Sequence, residues 1–409
     1  MTRIRRAFAS PVAHIVLCFL SMLLVFALAV GLTPAVIADA REQRPASAGE
    51  TRTGPTPATT GPWRSGGPYG GAVRALGLSP AFNTDGFALA GGWQPGAYGV
   101  TGGFGIARTS DGGASWQLLQ DAQHRWPVFD LAISPAFATD RTAFAGTDVG
   151  LLRSTNRGDT WTRLYGGLPA STDKEPELDD IMRVRISPAF MADRTVYALP
   201  RSPSGGQASL YRSTDRGDTW TRVYTGTVTA LALSRHFDTD NTLFIAVRQT
   251  GTTRILRSTT RWGTWAEVYN AGATPVADLL ALHDAAVLLA TDQGIIRLVP
   301  QGDVYVTDPV TENIATAVNR LAPAGDHIYA AAEGGLYISL SEGRTWQRYD
   351  DTLAVPFRAV APCPLWGACH ALMAGSEAGL IFTPDDNLQP WRVLPGPYAL
   401  KTESVAASP

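Results

Sequence analysis

The chain has 409 residues, 45% of them hydrophobic and 17% charged, with a formal net charge of -2 at pH 7. That length admits two or three ordinary domains or one large repetitive one, and the composition is that of a globular chain. A near-neutral balance gives no electrostatic reason to expect nucleic acid or an anionic membrane surface as partner.

In chain order, the first signal is N-terminal. Arg3, Arg5 and Arg6 precede an apolar run from Ile15 to Leu32, which Pro34 and the small-residue pattern Ala38-x-Ala40 follow. Residues 1–40 therefore read as a signal peptide or, since the run is just long enough to span a bilayer, as an N-terminal membrane anchor. Gly31 and Pro34 break the helix where a peptidase needs extended chain, which favours cleavage after Ala40. Export places the protein outside the cell or in the cell envelope, with the membrane touched only through this segment if it is uncleaved. Cys18 lacks the small preceding residue of a lipoprotein site. Residues 41–62 are rich in Pro, Thr, Ala and Gly, have no aliphatic side chain to bury, and predict a disordered linker.

From Trp63 the chain repeats. "TSDGGASW" begins at 109, "STNRGDTW" at 154, "STDRGDTW" at 213, "STTRWGTW" at 258 and "SLSEGRTW" at 339. The gap of 81 between Trp265 and Trp346 is nearly double the usual 45, which predicts a worn copy at "LVPQGDVY", with Gly302 kept and Tyr305 in the place of the tryptophan. A last worn copy, "TPDDNLQPW", ends at Trp391. A second phrase, "LSPAFNTDG" at 78, "ISPAFATDRT" at 133, "ISPAFMADRT" at 186 and "LSRHFDTDNT" at 233, keeps the same phase. Each unit reads as four short strands, with the fourth beginning at the tryptophan. The expected fold is all-β: a single seven-bladed β-propeller of four-stranded antiparallel blades over residues 63–398, then a C-terminal tail, 399–409. Trp63 stands in the phase of an outer strand that could close the ring beside Trp391.

The octet resembles the Asp-box, or bacterial neuraminidase repeat, S-x-D-x-G-x-T-W. The resemblance implies a propeller over roughly residues 73–394, but it does not fix function: sialidases, xyloglucan-degrading enzymes, sortilin-type receptors and photosystem II assembly factors carry the motif. Physically the octet reads as a hairpin lock. Asp111, Asn156 and Asp215 can accept N–H groups of their own turns, and Gly113, Gly158, Gly217 and Gly343 stand at the turn's glycine position. Trp116, Trp161, Trp220, Trp265 and Trp346 would wedge between neighbouring sheets. The octet offers too few alternating oxygen ligands for calcium.

Strand order puts the octets and the "SPAF" phrases at one end of the blades and the two-to-three loops and crossovers at the other. At that second end the chain varies: "GGWQPGAYGVTGGFG" (91–105), "QDAQHRWP" (120–127), "GGLPASTDKEPELDD" (166–180) and "PRSPSGGQAS" (200–209) all fall in the first three units. Variable loops on a repetitive scaffold are where recognition resides. Trp93, Tyr98, Phe104 and Trp126, with Asp179 and Asp180 in an acidic run, form the expected binding patch. In the inner strands Asp130 and Arg183 take matching positions, Arg185 follows, and Arg74, Asp278 and Arg358 start their own strands; salt bridges around the channel explain them better than ligand contact.

The function expected is a non-catalytic binding or scaffold module for a glycan or protein partner at the cell surface, acting as a monomer. The alternative is a glycoside hydrolase using Asp130, Asp180 and Asp278 at the channel mouth. The sialidase Arg-Ile-Pro motif is missing, and the six histidines show no ligand spacing, so no metal or cofactor is expected. Cys363 and Cys369 are expected to pair as a disulfide stapling the first loop of the last unit.

Overall fold

The computed structural model describes residues 72–93, 105–119, 126–169, 180–201, 209–310, 312–349, 355–363, 371–376, 379–383 and 392–393. Among them lie seven four-stranded antiparallel sheets, each built from consecutive strands. The first is β1 (Ala72–Leu78), β2 (Ala88–Trp93), β3 (Gly105–Thr109) and β4 (Gln117–Leu118). The second is β5 (Val128–Ile133), β6 (Ala143–Thr147), β7 (Gly150–Ser154) and β8 (Thr162–Leu164); the third is β9 (Ile181–Ile186), β10 (Val196–Pro200), β11 (Leu210–Ser213) and β12 (Thr221–Tyr224). The fourth is β13 (Thr227–Leu233), β14 (Leu243–Gln249), β15 (Thr252–Ser258) and β16 (Ala266–Gly272); the fifth is β17 (Val276–Ala281), β18 (Val287–Thr291), β19 (Gly294–Gln301) and β20 (Val304–Asp308). The sixth is β21 (Val318–Ala324), β22 (His327–Ala332), β23 (Gly335–Ser339) and β24 (Gln347–Arg348), and the seventh is β25 (Phe357–Pro362), β26 (Leu372–Ser376), β27 (Gly379–Thr383) and β28 (Arg392–Val393).

The first strands β1, β5, β9, β13, β17, β21 and β25 each touch the next, and β25 touches β1 in turn. The circuit closes by packing of the last sheet on the first, and among the described residues the last sheet consists of C-terminal strands. Trp63 and Trp391, the expected closure pair, lie outside the described residues. No described helix is long and apolar enough to cross a membrane.

The octets explain how the sheets are locked. In the first three, the side-chain oxygen of Asp111, Asn156 or Asp215 accepts the N–H of Ser115, Thr160 or Thr219 at 2.9 to 3.0 Å. The hydroxyl opening each octet accepts the amide of the glycine four residues on: Thr109 from Gly113, Ser154 from Gly158, Ser213 from Gly217 and Ser339 from Gly343, at 2.7 to 2.9 Å. Those glycines have φ of 80° to 97°, the left-handed region that a Cβ disfavours.

The aromatic residue of each octet among the described residues packs against the preceding sheet. Trp116 joins the cluster shared with the seventh sheet, Trp220 that shared with the second and Trp346 that shared with the fifth. Trp161 and Trp265, only partly buried, do the same toward the first and third. Tyr305 takes this position in the fifth sheet, where Gln301 pairs with Val304 across a two-residue turn containing Gly302. In the fourth sheet Trp262 occupies the octet's glycine position, and the Arg212 guanidinium of the third sheet stacks 3.4 Å from its ring centre.

The "SPAF" phrases form a second lock at the same end. Each serine hydroxyl donates to the aspartate six residues on, Ser134 to Asp140 at 2.6 Å and Ser187 to Asp193 at 2.7 Å. Phe82, Phe137, Phe190 and Phe237 are buried, and the last three meet Phe87, Phe144 and Tyr197 of the preceding sheet. Cys363 is buried and disulfide-bonded; Cys369 lies outside the described residues.

Candidate functional site

Every first strand carries a β-bulge at the same place, leaving Arg74, Phe129, Met182, Thr229, Ala277, Asn319 and Arg358 out of register with the second strand. A bulge re-aims the residue that follows it. The following positions hold Ala75, Asp130, Arg183, Ala230, Asp278, Arg320 and Ala359, so Asp130, Arg183, Asp278 and Arg320 occupy one level. Arg74 and Arg358 sit one residue earlier, which corrects the alignment that grouped them with Asp278.

These residues form two similar pairs of adjacent sheets, Asp130 with β9 and Asp278 with β21. Val184 N–H donates to Asp130 Oδ2 at 2.9 Å, and Leu321 N–H donates to Asp278 Oδ2 at 3.1 Å. Guanidiniums tie the pairs together. Arg185 donates from Nη1 to Asp130 at 3.0 Å and from Nη2 to Asp278 at 3.1 Å. Arg320 bonds Asp130 from the sixth sheet, and Arg183 donates to the carbonyls of Met182 at 2.9 Å and Ala277 at 3.4 Å. Beside this cluster Arg358 pairs with Glu333, and Asn319 donates to Glu333 at 3.1 Å.

Both aspartate side chains are 1% exposed. Burial pushes the Asp130 carboxyl up, but Arg320, Arg185, Arg183 and the Val184 amide outweigh it and hold the pKa below the ordinary carboxylate value. Burial likewise opposes charge on Arg320, and Asp130 and Asp278 overcome it and raise its pKa. Arg183 has no carboxylate within 4 Å among the described residues, so burial, then the like charge of Arg320, pushes it down to about 10.

The other expected site residues are scattered. Trp93 ends β2 opposite Ala72. Tyr98, Phe104 and Asp179 lie outside the described residues. Trp126, expected as an open aromatic contact, is partly buried in the apolar cluster between the first and second sheets. Asp180 accepts the Arg201 amide through its carbonyl at 2.6 Å and faces the Arg201 guanidinium at 3.8 Å. Among the described residues no group of three His, Cys, Asp or Glu could hold a metal ion.

Two arginines escaped the sequence reading. Arg320 stands in "VNRLAP", which aligns position for position with "VFDLAI" and puts Arg320 in the place of Asp130. Arg297 is fully buried; it donates from Nε to the Glu342 carbonyl at 2.9 Å and pairs with Asp284 and Asp308. Its signal was its phase, since it holds the third-strand place of Arg108, Arg153, Arg212 and Arg257.

The arrangement is that of a β-propeller. No family model and no curated protein matches the chain. Solved structures do. YCF48 bound to D1 peptide is 12% identical, with a TM-score of 0.54, over 80% of this chain and 99% of that one. The GH74 xyloglucanase from Xanthomonas campestris is 17% identical, TM-score 0.57, over 80% of this chain and 54% of that one. An extracellular domain from B. thetaiotaomicron is 15% identical, TM-score 0.54, over 80% of this chain and 40% of that one. At these identities the likenesses show the propeller fold alone.

Proposed function

We propose that residues 63–398 form one exported, seven-bladed Asp-box propeller that binds a protein or glycan partner without catalysis. The observation that carries this reading is the state of Asp130 and Asp278. A glycosidase acid must hold a proton near neutral pH and reach substrate; both carboxylates are buried, and Asp130 is held ionised. The long connections of the first three sheets remain as the recognition surface, with Trp93, Tyr98, Phe104 and the acidic run to Asp180 as contacts. Trp126, partly buried between the first two sheets, is not among them. A neighbour of the same fold bound to a peptide supports a protein partner, and an extracellular neighbour agrees with export. In this reading Cys369 is the partner of Cys363, and the protein is a monomer.

The test is an array of glycans, polysaccharides and peptides probed with the purified full chain and read for binding and for released sugar. Retained ligand without release is expected, and a double variant Trp93→Ala, Tyr98→Ala should bind it about ten-fold or more weakly. Sugar release would transfer the assignment to the glycoside hydrolase.

A further inference from the structure

The charge cluster at the first strands does not balance. Three guanidiniums, Arg183, Arg185 and Arg320, face two carboxylates, Asp130 and Asp278, and the neighbouring Arg358 is matched by its own Glu333. Acceptors are short as well: Arg183 Nε and Arg320 Nη1 are buried without a hydrogen-bond partner. Native proteins leave few buried donors unmet, and a surplus charge in a low-dielectric interior is unfavourable unless something neutralises it. The cluster is not sealed, because a quarter of the Arg185 side chain and about an eighth of Arg320 stay accessible. The inner strands enclose these side chains, so that surface faces the space between the strands.

We infer that the axis of the sheets is a binding site for one small oxyanion, a phosphate or carboxylate group held by Arg183, Arg185 and Arg320. Guanidinium edges match both geometries, and charge-assisted bonds supply the missing negative charge and acceptors together. The depressed pKa of Arg183 agrees, since burial and the like charge of Arg320 outweigh the pull of Asp130 and Asp278. Asp130 and Asp278 hold Arg185 and Arg320 in place, and the Met182 and Ala277 carbonyls hold Arg183. This site is independent of the loop patch proposed above, so either can fail alone.

The experiment is calorimetric titration of the full-length protein with inorganic phosphate and, separately, with acetate, ionic strength being held constant with chloride. One saturable site per chain is expected for at least one of them; phosphate alone indicates a tetrahedral oxyanion and acetate a carboxylate. Arg183→Met removes a cation that no carboxylate depends on within 4 Å and should weaken binding about ten-fold or more, while Arg254→Gln, on an exposed pair with Glu267, should not. Asp278→Asn keeps an acceptor for the Leu321 amide, raises the surplus by one charge and should tighten binding; it decides the matter if Arg183→Met fails to fold. No saturable binding of either anion, or unchanged affinity in these two channel variants, overturns the inference.

Discussion

Asp130 and Val184 join adjacent sheets through a 2.9 Å bond from a main-chain amide to a buried carboxylate. Burial acts to raise the Asp130 pKa, but Arg320, Arg185 and Arg183, helped by this bond, are why folding lowers it from its ordinary 3.8. A group with a depressed folded pKa contributes stability that is complete above the unfolded value and is lost as pH falls through the folded one. Asp130→Asn should therefore lower stability by about 3 kcal/mol at neutral pH, and the gap to wild type should narrow below about pH 4. Urea unfolding across that range measures it; a gap independent of pH would refute the role of the charge.

The aromatic wedge differs in burial between sheets, and stability should follow. Trp220→Ala removes a buried indole whose Nε1 donates to Gly217 at 2.9 Å, and should lower stability by about 3 to 5 kcal/mol. Trp161→Ala, at a partly buried indole with no bond to its Nε1, should lower it by less. Thermal unfolding of the two variants ranks them.

Arg153 and Arg297 hold equivalent third-strand positions and should answer differently to removal. Arg153 donates to the Arg216 carbonyl at 2.8 Å and to Asp218 at 2.7 Å, but Asp218 is 63% exposed. Its ion pair is screened, and Asp218→Ala should change stability by less than about 1 kcal/mol. Arg297→Met removes the buried partner of Asp284 and Asp308, leaving them only the half-exposed Arg344 at 3.7 and 3.5 Å, and should lower stability by about 3 kcal/mol. Added salt should narrow the first difference far more than the second.

Two octet glycines separate backbone strain from crowding. Gly112 has φ +73° and open space where a Cβ would stand; Gly217 has φ +97°, with Leu164 Cδ1 2.9 Å and Phe144 Cε1 3.2 Å from that point. Gly112→Ala should lower stability by about 1 kcal/mol, through the dihedral alone. Gly217→Ala adds displacement of packed side chains from the second sheet and should lower it by about 2 kcal/mol or more. Equal losses would show that the intersheet contact is not tight.

How much of this was legible in the chain depends on the range of the interaction. The octet, the "SPAF" phrase and the four-strand period are local: a hydroxyl, a carboxylate and a glycine within eight residues satisfy their own turn, so Thr109, Asp111 and Gly113 announce it wherever they occur. The tryptophan interval even located the worn copy at Tyr305, because a sheet must offer an aromatic to its predecessor. The charge cluster was only half visible. Asp130, Arg183 and Arg320 share one phase, but Arg320 is 190 residues from Asp130, so nothing local shows that the two meet. Arg297 looked like one more third-strand arginine until packing closed Asp284 and Asp308 around it. Sequence by itself determined the repeated unit, since its bonds lie within one stretch of chain; only the tertiary structure decided which charges meet, since that depends on which sheets face one another across the axis.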